Sequence, residues 1–513
     1  MSIHNEHQFE TELCAHLAAN GWLHSADDAG YDAELAMYNA DAIAWLRTTQ
    51  PAEWVKLQTR WGADTERQTL RKLREQLDKH GTISVLRNGY KDVNARLRWC
   101  QFQPAHKLNA ELQKDYAAVR LRVMQQVHYS TSNEKSIDLV LLCNGIAVAT
   151  LELKTDLTQN VQAAIQQYQQ DRPLKDLVTK KLESLLQPVS GALVHFATST
   201  DEVWMTTALA GAATVFLPFN LGNDMGAGNP VNPAGYRTAY LWEQVLQRDA
   251  WLNILHHFVF LQRKRVMFPR MHQWQAVTSL VRTATAEGAG KRYLIQHSAG
   301  SGKTNSISWL AHQLSSAHTA HDSKLFDSVI VVTDRTVLDQ QLKDAIRDLQ
   351  HADGLIASID NTDGAKSQQL AAALKKRTPI IIVTMQTFPH VLGMLRDSAD
   401  LSKRTFAVIA DEAHSSQTGM SAKKLKQVLS AQRQQEIADG GEVDLEELLE
   451  AEVANNAAPA NTSWFAFTAT PKAKTLELFG RTDSSGLPQA FSVYSMQQAI
   501  EYSGPRNSDQ AIS

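Results

Sequence analysis

The stretch from Gln296 to Thr304, QHSAGSGKT, restricts the possible folds of this chain more than any other stretch. An apolar run, Tyr293 to Ile295, precedes it, and a helix-like pattern, Ile307 to Ala311, follows it. The order therefore predicts a strand, a glycine-bearing loop and a helix, which is the setting of a phosphate-binding loop. Backbone N–H groups of such a loop point at phosphate oxygens, and the helix N-terminus adds donors and the positive end of its dipole.

Five residues of this loop are predicted to bind a nucleoside triphosphate and its Mg²⁺. Two glycines and the serine between them supply the backbone cradle, a lysine reaches the β- and γ-phosphates, and a threonine ligates the metal ion. They are Gly300, Ser301, Gly302, Lys303 and Thr304. The first glycine of the G-x-x-x-x-G-K-T pattern is His297 here. A glycine–serine turn before a helix is the alternative interpretation.

Composition argues against several classes of protein. The three cysteines lie far apart without metal-ligand spacing, which argues against a disulfide framework or zinc site and favours a reducing compartment, here the cytoplasm. The N-terminal residues lack the basic start and apolar stretch of a signal peptide, and no apolar run reaches the length of a membrane span. A net charge of −3 over 513 residues gives no overall attraction to nucleic acid, so such binding requires local basic patches.

Other runs predict individual elements. The spacing of apolar residues predicts an amphipathic helix over Phe9 to Trp22 and strands over Thr82 to Leu86 and Leu121 to Val127. Residues 51–80 predict helix and carry a dense cationic series, for which a solvated helix face and a contact with DNA are both open. The members of that series are Arg60, Arg67, Arg71, Lys72 and Arg74.

A second chemical motif lies in a predicted hairpin. Two apolar, strand-like runs flank Asn144-Gly145, the strongest short-range hairpin signal. Folding the hairpin brings Asp138, near the start of the first run, toward Glu152 and Lys154 at the end of the second. A plain two-residue turn would pair Asp138 with Leu151, so we predict a bulge or a three-residue loop that shifts the register by one.

Two converging carboxylates suit a hard cation such as Mg²⁺, which prefers oxygen ligands and keeps several waters. Asp138 and Glu152 are therefore the predicted metal ligands, with the backbone carbonyl of Leu153 as a further one. Lys154 is predicted to orient the attacking water and to stabilise charge that develops on a phosphate. From spacing alone, a partly exposed hairpin with charged ends is the alternative.

These residues resemble the PD-(D/E)xK nuclease motif, with Asp138 as its Asp and Glu152-Leu153-Lys154 as its (D/E)-x-K. The resemblance implies Mg²⁺-dependent phosphodiester hydrolysis. Nucleases of this kind in type I restriction enzymes often carry Q-x-x-x-Y after the core. Tyr168 matches the tyrosine, whereas Ala164 stands where the glutamine is expected. Gln162 and Gln166 are candidate substitutes for that glutamine.

Three apolar, strand-like runs follow the phosphate loop, and each ends in polar residues, as buried parallel strands do where they deliver functional loops. The third, Phe406 to Ala410, runs directly into Asp411-Glu412-Ala413-His414. An apolar strand followed by Asp-Glu is the Walker B arrangement, in which Asp411 holds Mg²⁺ and Glu412 orients or deprotonates the attacking water. These features resemble DEAH-box motors of superfamily 2. The resemblance implies ATP as the nucleotide and a coupling role for His414.

Two more segments resemble parts of such motors. Gln273 lies ahead of the phosphate loop, where superfamily 2 motors place a glutamine that reads the adenine edge; a surface glutamine is the alternative. A strand-like run from Trp464 to Phe467 leads into Thr468-Ala469-Thr470-Pro471, which resembles motif III. Between these, the acidic segment 436–461 predicts an exposed helix and a linker, with a partner contact as another possibility.

Nuclease hairpin, linker and DEAH-type motor in this order resemble the R subunit of a type I restriction-modification enzyme. The implied fold is α/β, with a PD-(D/E)xK nuclease-like domain containing a mixed sheet, followed by a RecA-like P-loop domain with a parallel sheet. The predicted bounds are 1–225 for the nuclease domain, 226–255 for a connecting segment, 256–500 for the first RecA-like domain and 501–513 for an atypical tail.

The resemblance implies a cytoplasmic endonuclease that couples ATP-dependent translocation to cleavage of double-stranded DNA, in a complex with methyltransferase and specificity subunits. It also implies a second RecA-like domain, which the sequence lacks, so a truncated chain that hydrolyses ATP poorly is expected. Two rival interpretations stay open. One is a stand-alone nuclease–helicase of another defence or repair system, and the other is a non-catalytic remnant that binds DNA or a partner.

Overall fold

The structure, a computed structural model, divides into two compact units, one of residues up to Met271 and one from His272 onward. The functional bounds predicted from the sequence stay a prediction, although Leu241–Val245 and Arg248–Asn253, inside the predicted connecting segment, are helical. The residues that the structure describes are 6–105, 108–155, 160–333, 336–349, 354–359, 366–384, 387–388, 391, 394–395, 398, 400–411, 461–483 and 485–503.

The first unit is built on a mixed sheet. The strands of this unit are β1 (Leu23–Ser25), β2 (Tyr31–Asp32), β3 (Met37–Tyr38), β4 (Tyr90–Asp92), β5 (Ala95–Leu97), β6 (Leu121–His128), β7 (Ser136–Cys143), β8 (Ile146–Leu153), β9 (Val194–Thr198), β10 (Val203–Thr206), β11 (Leu217–Pro218), β12 (Phe260–Gln262) and β13 (Arg265–Met267). Strands β4 and β5 form a separate pair, and so do β12 and β13. Within the described residues the main sheet runs β1-β6-β7-β8-β9-β10-β11, and β3 also pairs with β8. The β1–β6 and β8–β9 pairs are parallel, and the other pairs of this sheet are antiparallel.

Helices cover this sheet. They are α1 (Glu6–Ala19), α2 (Asn39–Thr49), α3 (Pro51–Trp61), α4 (Thr65–His80), α5 (Thr82–Asn88), α6 (Ala110–Ala117), α7 (Val161–Asp171) and α8 (Arg248–Asn253), with short 3₁₀ or π segments at Gly62–Asp64, Ser184–Leu186, Leu241–Val245 and Ile254–Phe258. The core between α7 and the sheet contains Val140, Leu142, Ile165 and Tyr168. All eight residues of β8 are buried, so the strand that carries Glu152 has protein on both faces.

The second unit contains a parallel sheet of the order β16-β17-β15-β18-β19-β14-β22. Its strands are β14 (Arg292–His297), β15 (Ser328–Thr333), β16 (Ile356–Ser358), β17 (Ile380–Thr384), β18 (Phe406–Ala410), β19 (Thr462–Thr468) and β22 (Ser492–Tyr494), with a separate pair β20 (Arg481–Thr482) and β21 (Pro488–Gln489). Its helices are α9 (Met271–Glu287), α10 (Lys303–Ser316), α11 (Thr336–Asp348), α12 (Lys366–Lys375), α13 (Ala473–Phe479) and α14 (Met496–Ser503), with a 3₁₀ turn at Leu401–Lys403. The α/β fold class with a mixed and then a parallel sheet is confirmed.

The prediction of a strand over Thr82 to Leu86 was wrong. These residues begin α5, which follows α4 after Gly81 at φ +85°. Thr82 fixes the start of the helix, because its N–H donates to the Val189 carbonyl at 2.8 Å and its hydroxyl donates to the Gly191 carbonyl at 2.8 Å. A short apolar run is equally compatible with a buried strand and a buried helix. Here the hydrogen bonds that Thr82 donates to residues 189–191 favour the helix.

The turn of the β7–β8 hairpin is Asn144-Gly145, as predicted. Both residues have positive φ, 49° and 80°, which matches the type I′ turn that fits the twist of paired strands. Asn144 is buried and anchors the turn, since its Oδ1 accepts the Arg120 N–H at 2.8 Å and its Nδ2 donates to the Trp99 carbonyl at 2.8 Å. Gly145 lies against backbone, and its carbonyl accepts the Tyr38 N–H at 2.9 Å.

We predict that Gly145→Ala destabilises the first unit by about 2–5 kcal/mol, the sum of left-handed strain and overpacking. An added Cβ would lie 2.7 Å from the Ala42 nitrogen and closer still to the Tyr38 carbonyl oxygen. Gly228→Ala is the matched control, because its φ is +87° but an added Cβ meets nothing within 4 Å. Hydrogen–deuterium exchange of β7 and β8 peptides in rising urea measures both variants. Equal losses for the two would contradict the packing argument.

Candidate active sites

The β7–β8 hairpin carries the predicted register shift. Cys143 pairs with Ile146 and Leu142 with Ala147, but Leu141 pairs with Ala149, so a bulge lies between Leu141 and Leu142. Beyond it Leu139 pairs with Leu151. The next residues along the two strands, Asp138 and Glu152, therefore lie opposite each other. The predicted bulge is confirmed, while the catalytic roles of these residues stay a prediction.

Asp138 is held by the backbone of the strand that it faces. Its Oδ2 accepts the Leu153 N–H at 2.7 Å, and its Oδ1 accepts Nε2 of Gln126 at 3.3 Å. The side chain is almost completely buried. Charge-assisted bonds of this kind fix a carboxylate in one orientation, so Asp138 is placed before any ligand binds.

Glu152 is fully buried and pairs with a cation. Its Oε1 accepts Nε of Arg172 at 2.7 Å, and both side chains are at most 5% exposed. Within the described part of the chain its Oε2 has no hydrogen-bond partner. Desolvation, and next the charge of Asp138, raises the pKa of the Glu152 carboxyl well above its usual value, although Arg172 opposes the rise. The site therefore holds one buried carboxylate oxygen with unused acceptor capacity.

Lys154 lies at the end of β8 with its ammonium directed to two oxygens. Its Nζ donates to the Leu153 carbonyl at 2.8 Å and pairs with Oε1 of Glu6 at 3.0 Å. The Leu153 carbonyl, predicted as a metal ligand, thus accepts a hydrogen bond from Lys154, and its predicted role stays a prediction. An ammonium carries three donors, so one donor of Lys154 is not accounted for by these two contacts.

Sequence reasoning missed three residues around the carboxylates, namely Glu10, Gln126 and Arg172. Gln126 Nε2 lies 3.2 Å and 3.3 Å from the two Glu10 oxygens and also donates to Asp138. Gln126 lies across from Asp138 on β6 with φ +48°, a conformation unusual for a residue other than glycine. Burial raises the pKa of the Glu10 carboxyl. The sequence offered one indication that Glu10 is buried, namely its position next to the apolar stripe of α1.

The tyrosine taken from the Q-x-x-x-Y resemblance lies beneath the hairpin. Tyr168 is fully buried, its hydroxyl is 2.8 Å from Oγ1 of Thr150, and Thr150 is 2.7 Å from Nδ1 of His195. Thr150 and Glu152 share one face of β8 because side chains alternate. Ala164 packs in the core, whereas Gln166 is exposed. Tyr168 therefore supports the strand that carries Glu152.

The donor set of this site fits a hard divalent cation. Among the described residues no group of three or more histidines, cysteines or carboxylates is arranged to hold a metal. The site offers two facing carboxylates, and Oε2 of one of them, Glu152, is buried with no hydrogen-bond partner in the part of the chain that the structure describes. Mg²⁺ is commonly bound by one or two carboxylates, with water molecules as its other ligands. The carboxylates of Asp138 and Glu152 are therefore enough to form a candidate Mg²⁺ site.

The phosphate loop of the second unit has the predicted strand–loop–helix form. His297 is the last residue of β14 and is fully buried, and the following Ser298 N–H donates to the Tyr494 carbonyl at 3.0 Å. Gly300 and Gly302 have φ of +75° and +79°, and α10 begins at Lys303. The position where the pattern has glycine is therefore part of the sheet here, and the loop proper starts after it.

Two side chains of α9 brace this loop. Nε2 of Gln273 donates to the carbonyls of Ser301 at 3.2 Å and Gly302 at 3.0 Å, and the side chain is buried. Nε2 of His272 is 3.0 Å from the Ser301 carbonyl oxygen, and its ring stacks on Tyr494. Gln273 is thus not a surface glutamine. Its predicted contact with adenine stays a prediction.

The other predicted nucleotide residues lie at the carboxyl edge of the parallel sheet. Nζ of Lys303 is 3.4 Å from the His297 carbonyl, and Thr304 is half-buried at the first turn of α10. Asp411 directly follows β18, and β19 separates β18 from β14. The carboxyl ends of parallel strands share one edge, so the phosphate loop and Asp411 lie on the same side. Glu412 and His414 lie outside the described residues, as does the acidic segment up to residue 460.

The cationic series between residues 51 and 80 is largely paired with carboxylates. Such pairing reduces the net positive field of these helices and favours the solvated-face interpretation. The pairs are Arg60 with Asp92, Arg67 with Asp64, Lys72 with Glu75 and Arg74 with Asp78.

Both units match known families. Residues 5–214 match the family model described as type I restriction enzyme R protein N terminus, and residues 272–503 match the SWI2/SNF2 ATPase model. The chain is similar to the R subunit of type I restriction enzymes. Together the two matches cover both compact units of this R-subunit-like chain in the order expected from its motifs. Every helix in the described residues is too short or too polar to cross a membrane.

The chain is also similar to individual proteins. A Mycoplasma pneumoniae (strain ATCC 29342 / M129 / Subtype 1) chain, named as the C-terminal part of the type I restriction enzyme MpnIIP endonuclease subunit, is 29% identical over 194 residues, 36% of this chain and 87% of the relative. A fragment of an HsdR subunit from Vibrio vulnificus YJ016 is 16% identical, with a TM-score of 0.29 and coverage of 74% of this chain and 56% of that chain.

A second solved structure covers a smaller share of the chain. The SWI2/SNF2 ATPase core of Sulfolobus solfataricus in complex with double-stranded DNA is 16% identical, with a TM-score of 0.23 and coverage of 40% of this chain and 33% of that chain. The R-subunit-like chain spans 56% of the length of the Vibrio fragment. The activity, substrates and partners of a whole R subunit are therefore proposals for this chain.

We predict that His195 makes the first unit sensitive to acid. Burial lowers the pKa of His195 to about 3, whereas an unfolded histidine has a pKa near 6.5. Below pH ~6.5 His195 is protonated in the unfolded state but stays neutral in the folded state, so the free energy of unfolding falls as pH falls. Between pH 7.5 and 5.5 this loss is about 1.4 kcal/mol.

The variant His195→Asn removes the titrating ring and keeps a donor near Thr150. This variant should not show the loss of stability that His195 causes between pH 7.5 and 5.5. The measurement is hydrogen–deuterium exchange of β8 and β9 peptides in urea at these two pH values. A variant that loses as much stability as the wild type over this range would show that His195 is not the group responsible.

Proposed function

We propose that this chain is the nuclease and motor component of a type I restriction-modification system. In this proposal it cleaves double-stranded DNA at Asp138, Glu152 and Lys154 with Mg²⁺, coupled to ATP-dependent translocation by the second unit. It works with the methyltransferase and specificity subunits of the same system, in the cytoplasm. The observation that carries the nuclease part is the bulge that sets Asp138 opposite Glu152, whose Oε2 is buried and has no hydrogen-bond partner in the described ranges.

The residues of the first unit have distinct tasks in this reaction. Asp138 and Glu152 would hold the Mg²⁺, and a bound Mg²⁺ supplies a Lewis acid that neutralises phosphate charge and activates water. Lys154 contributes a positive charge at the rim of the site, where its partner Glu6 is 41% exposed. In this proposal Lys154 stabilises the charge that develops on the phosphate of the bound DNA.

The residues of the second unit also have distinct tasks in the proposed ATP site. The loop of Gly300, Ser301 and Gly302 presents backbone donors to phosphates, and Lys303 at the start of α10 supplies the charge. Thr304 and Asp411 would hold the Mg²⁺ that accompanies ATP. Glu412 keeps the role that the sequence predicts for it, the orientation of the attacking water.

We predict that Asp138→Ala abolishes DNA cleavage and leaves ATP hydrolysis intact. Loss of a metal ligand should lower cleavage by more than ~100-fold, since even outer-shell partners cost about 10–100-fold. The assay is cleavage of circular duplex DNA by the chain together with its methyltransferase and specificity subunits, with phosphate release followed in parallel. Asp115→Ala, which removes the ion pair with Arg98 instead, is the matched control. Joint loss of both activities would argue against two separate centres.

We also predict that Lys303→Ala removes ATP binding and hydrolysis. The measurements are binding of a fluorescent ATP analogue and phosphate release by the purified chain with Mg²⁺ and duplex DNA. Lys291→Ala, an exposed lysine before the same strand, is the matched control and should match the wild type. Unchanged binding and turnover in Lys303→Ala would refute the assignment of the phosphate loop.

A further inference from the structure

Arg172 links three elements at the candidate nuclease site. It follows the last residue of α7, and its side chain is 5% exposed. Its Nε pairs with Oε1 of Glu152 at 2.7 Å, its Nη2 donates to the Ser136 carbonyl at 2.6 Å, and its Nη1 reaches the Asp171 carbonyl at 3.4 Å. The guanidinium therefore ties the end of α7 to the start of β7 and the end of β8.

The contact with Glu152 uses only one carboxylate oxygen. The planar guanidinium has five donors in a fixed fork, which allows bidentate pairing with a carboxylate. Here the other donors of the fork bind backbone carbonyls, so Arg172 cannot rotate to engage both oxygens without losing them. Oε2 of Glu152 stays buried and has no hydrogen-bond partner among the described residues.

A buried ion pair with a structural role alone gains nothing from an unsatisfied oxygen. Leaving a buried acceptor unsatisfied costs about 1–3 kcal/mol, and a buried ion pair contributes little stability compared with apolar packing. Arg122 in the same sheet provides the contrast, since it engages both oxygens of buried Asp41. The one-sided contact of Arg172 thus holds Glu152 in place and keeps one oxygen for another ligand.

We propose that Arg172 is a positioning residue of the nuclease centre, which fixes Glu152 through Oε1 so that Oε2 remains open to the divalent cation that Asp138 also binds. This inference rests on the proposed nuclease function. Arg172 touches neither DNA nor metal in this arrangement. It acts as outer-shell partners of ligating carboxylates do, by restricting the orientation of the ligand.

The test is the affinity of the purified full chain for Mn²⁺, measured by calorimetry without DNA or nucleotide. The relevant site is the part of Mn²⁺ binding that Asp138→Ala removes. Arg172→Met should weaken this binding by about 10–100-fold. Arg172→Lys keeps the charge and loses the fork, so it should also weaken binding, by about 10-fold. Arg122→Met, which breaks the other buried ion pair, should leave Mn²⁺ affinity unchanged.

Each outcome has a defined meaning. Wild-type affinity in folded Arg172→Met would overturn the inference, and so would tighter binding, which would mean that Arg172 competes with the cation. Hydrogen–deuterium exchange of β8 peptides shows whether Arg172→Met is folded, and if it is not, Arg172→Lys decides by the same criterion. If the wild type shows no Mn²⁺ binding that depends on Asp138, the proposed nuclease function itself fails.

Discussion

The pairing register of β7 and β8 is the constraint on which the candidate nuclease site depends. Side chains alternate along a strand, and a shift of one residue moves a whole set of side chains to the other face. The Asn144-Gly145 turn starts the pairing, and the bulge at Leu141 and Leu142 moves Asp138 from Leu151 to Glu152. On its other side β8 is paired with β9, where Glu152 lies next to Ala197. With both neighbours fixed, β8 cannot slip, and the two carboxylates are held together by backbone hydrogen bonds.

Burial of charge sets the electrostatics of this arrangement. Desolvation and mutual repulsion raise the pKa of Glu152, and burial also raises the pKa of Glu10. A pair of carboxylates that repel each other is stabilised by a cation between them. Arg172 and Lys154 offset part of the repulsion from the edges of the site, each with a contact to a neighbouring element. The fold thus keeps the carboxylates close together while leaving acceptor capacity for a ligand.

In the second unit the order and direction of the strands position the candidate site, whereas in the first unit one hairpin does so. Parallel strands bring their carboxyl ends to one edge, so loops that are far apart in the sequence meet there. The phosphate loop after β14 and Asp411 after β18 lie at this edge with β19 between their strands. His297 belongs to the sheet, and Gln273 and His272 bind the loop carbonyls from α9. The conformation of the loop is therefore supported by contacts from α9.

Local patterns of residues in the sequence determined the elements that hold the predicted site residues. The turn, the need for a bulge, the strand–loop–helix around Lys303 and the strand before Asp411 all depend on spacing and backbone conformation within a few residues, which is why they were predictable. Only the tertiary structure decided which distant side chains complete each site. Gln126 donates to both Asp138 and Glu10, Arg172 donates to Glu152, and Thr82 begins a helix because residues 189–191 accept its hydrogen bonds. Such contacts join residues far apart in the chain, and no local periodicity encodes them, because they follow from the packing of whole elements.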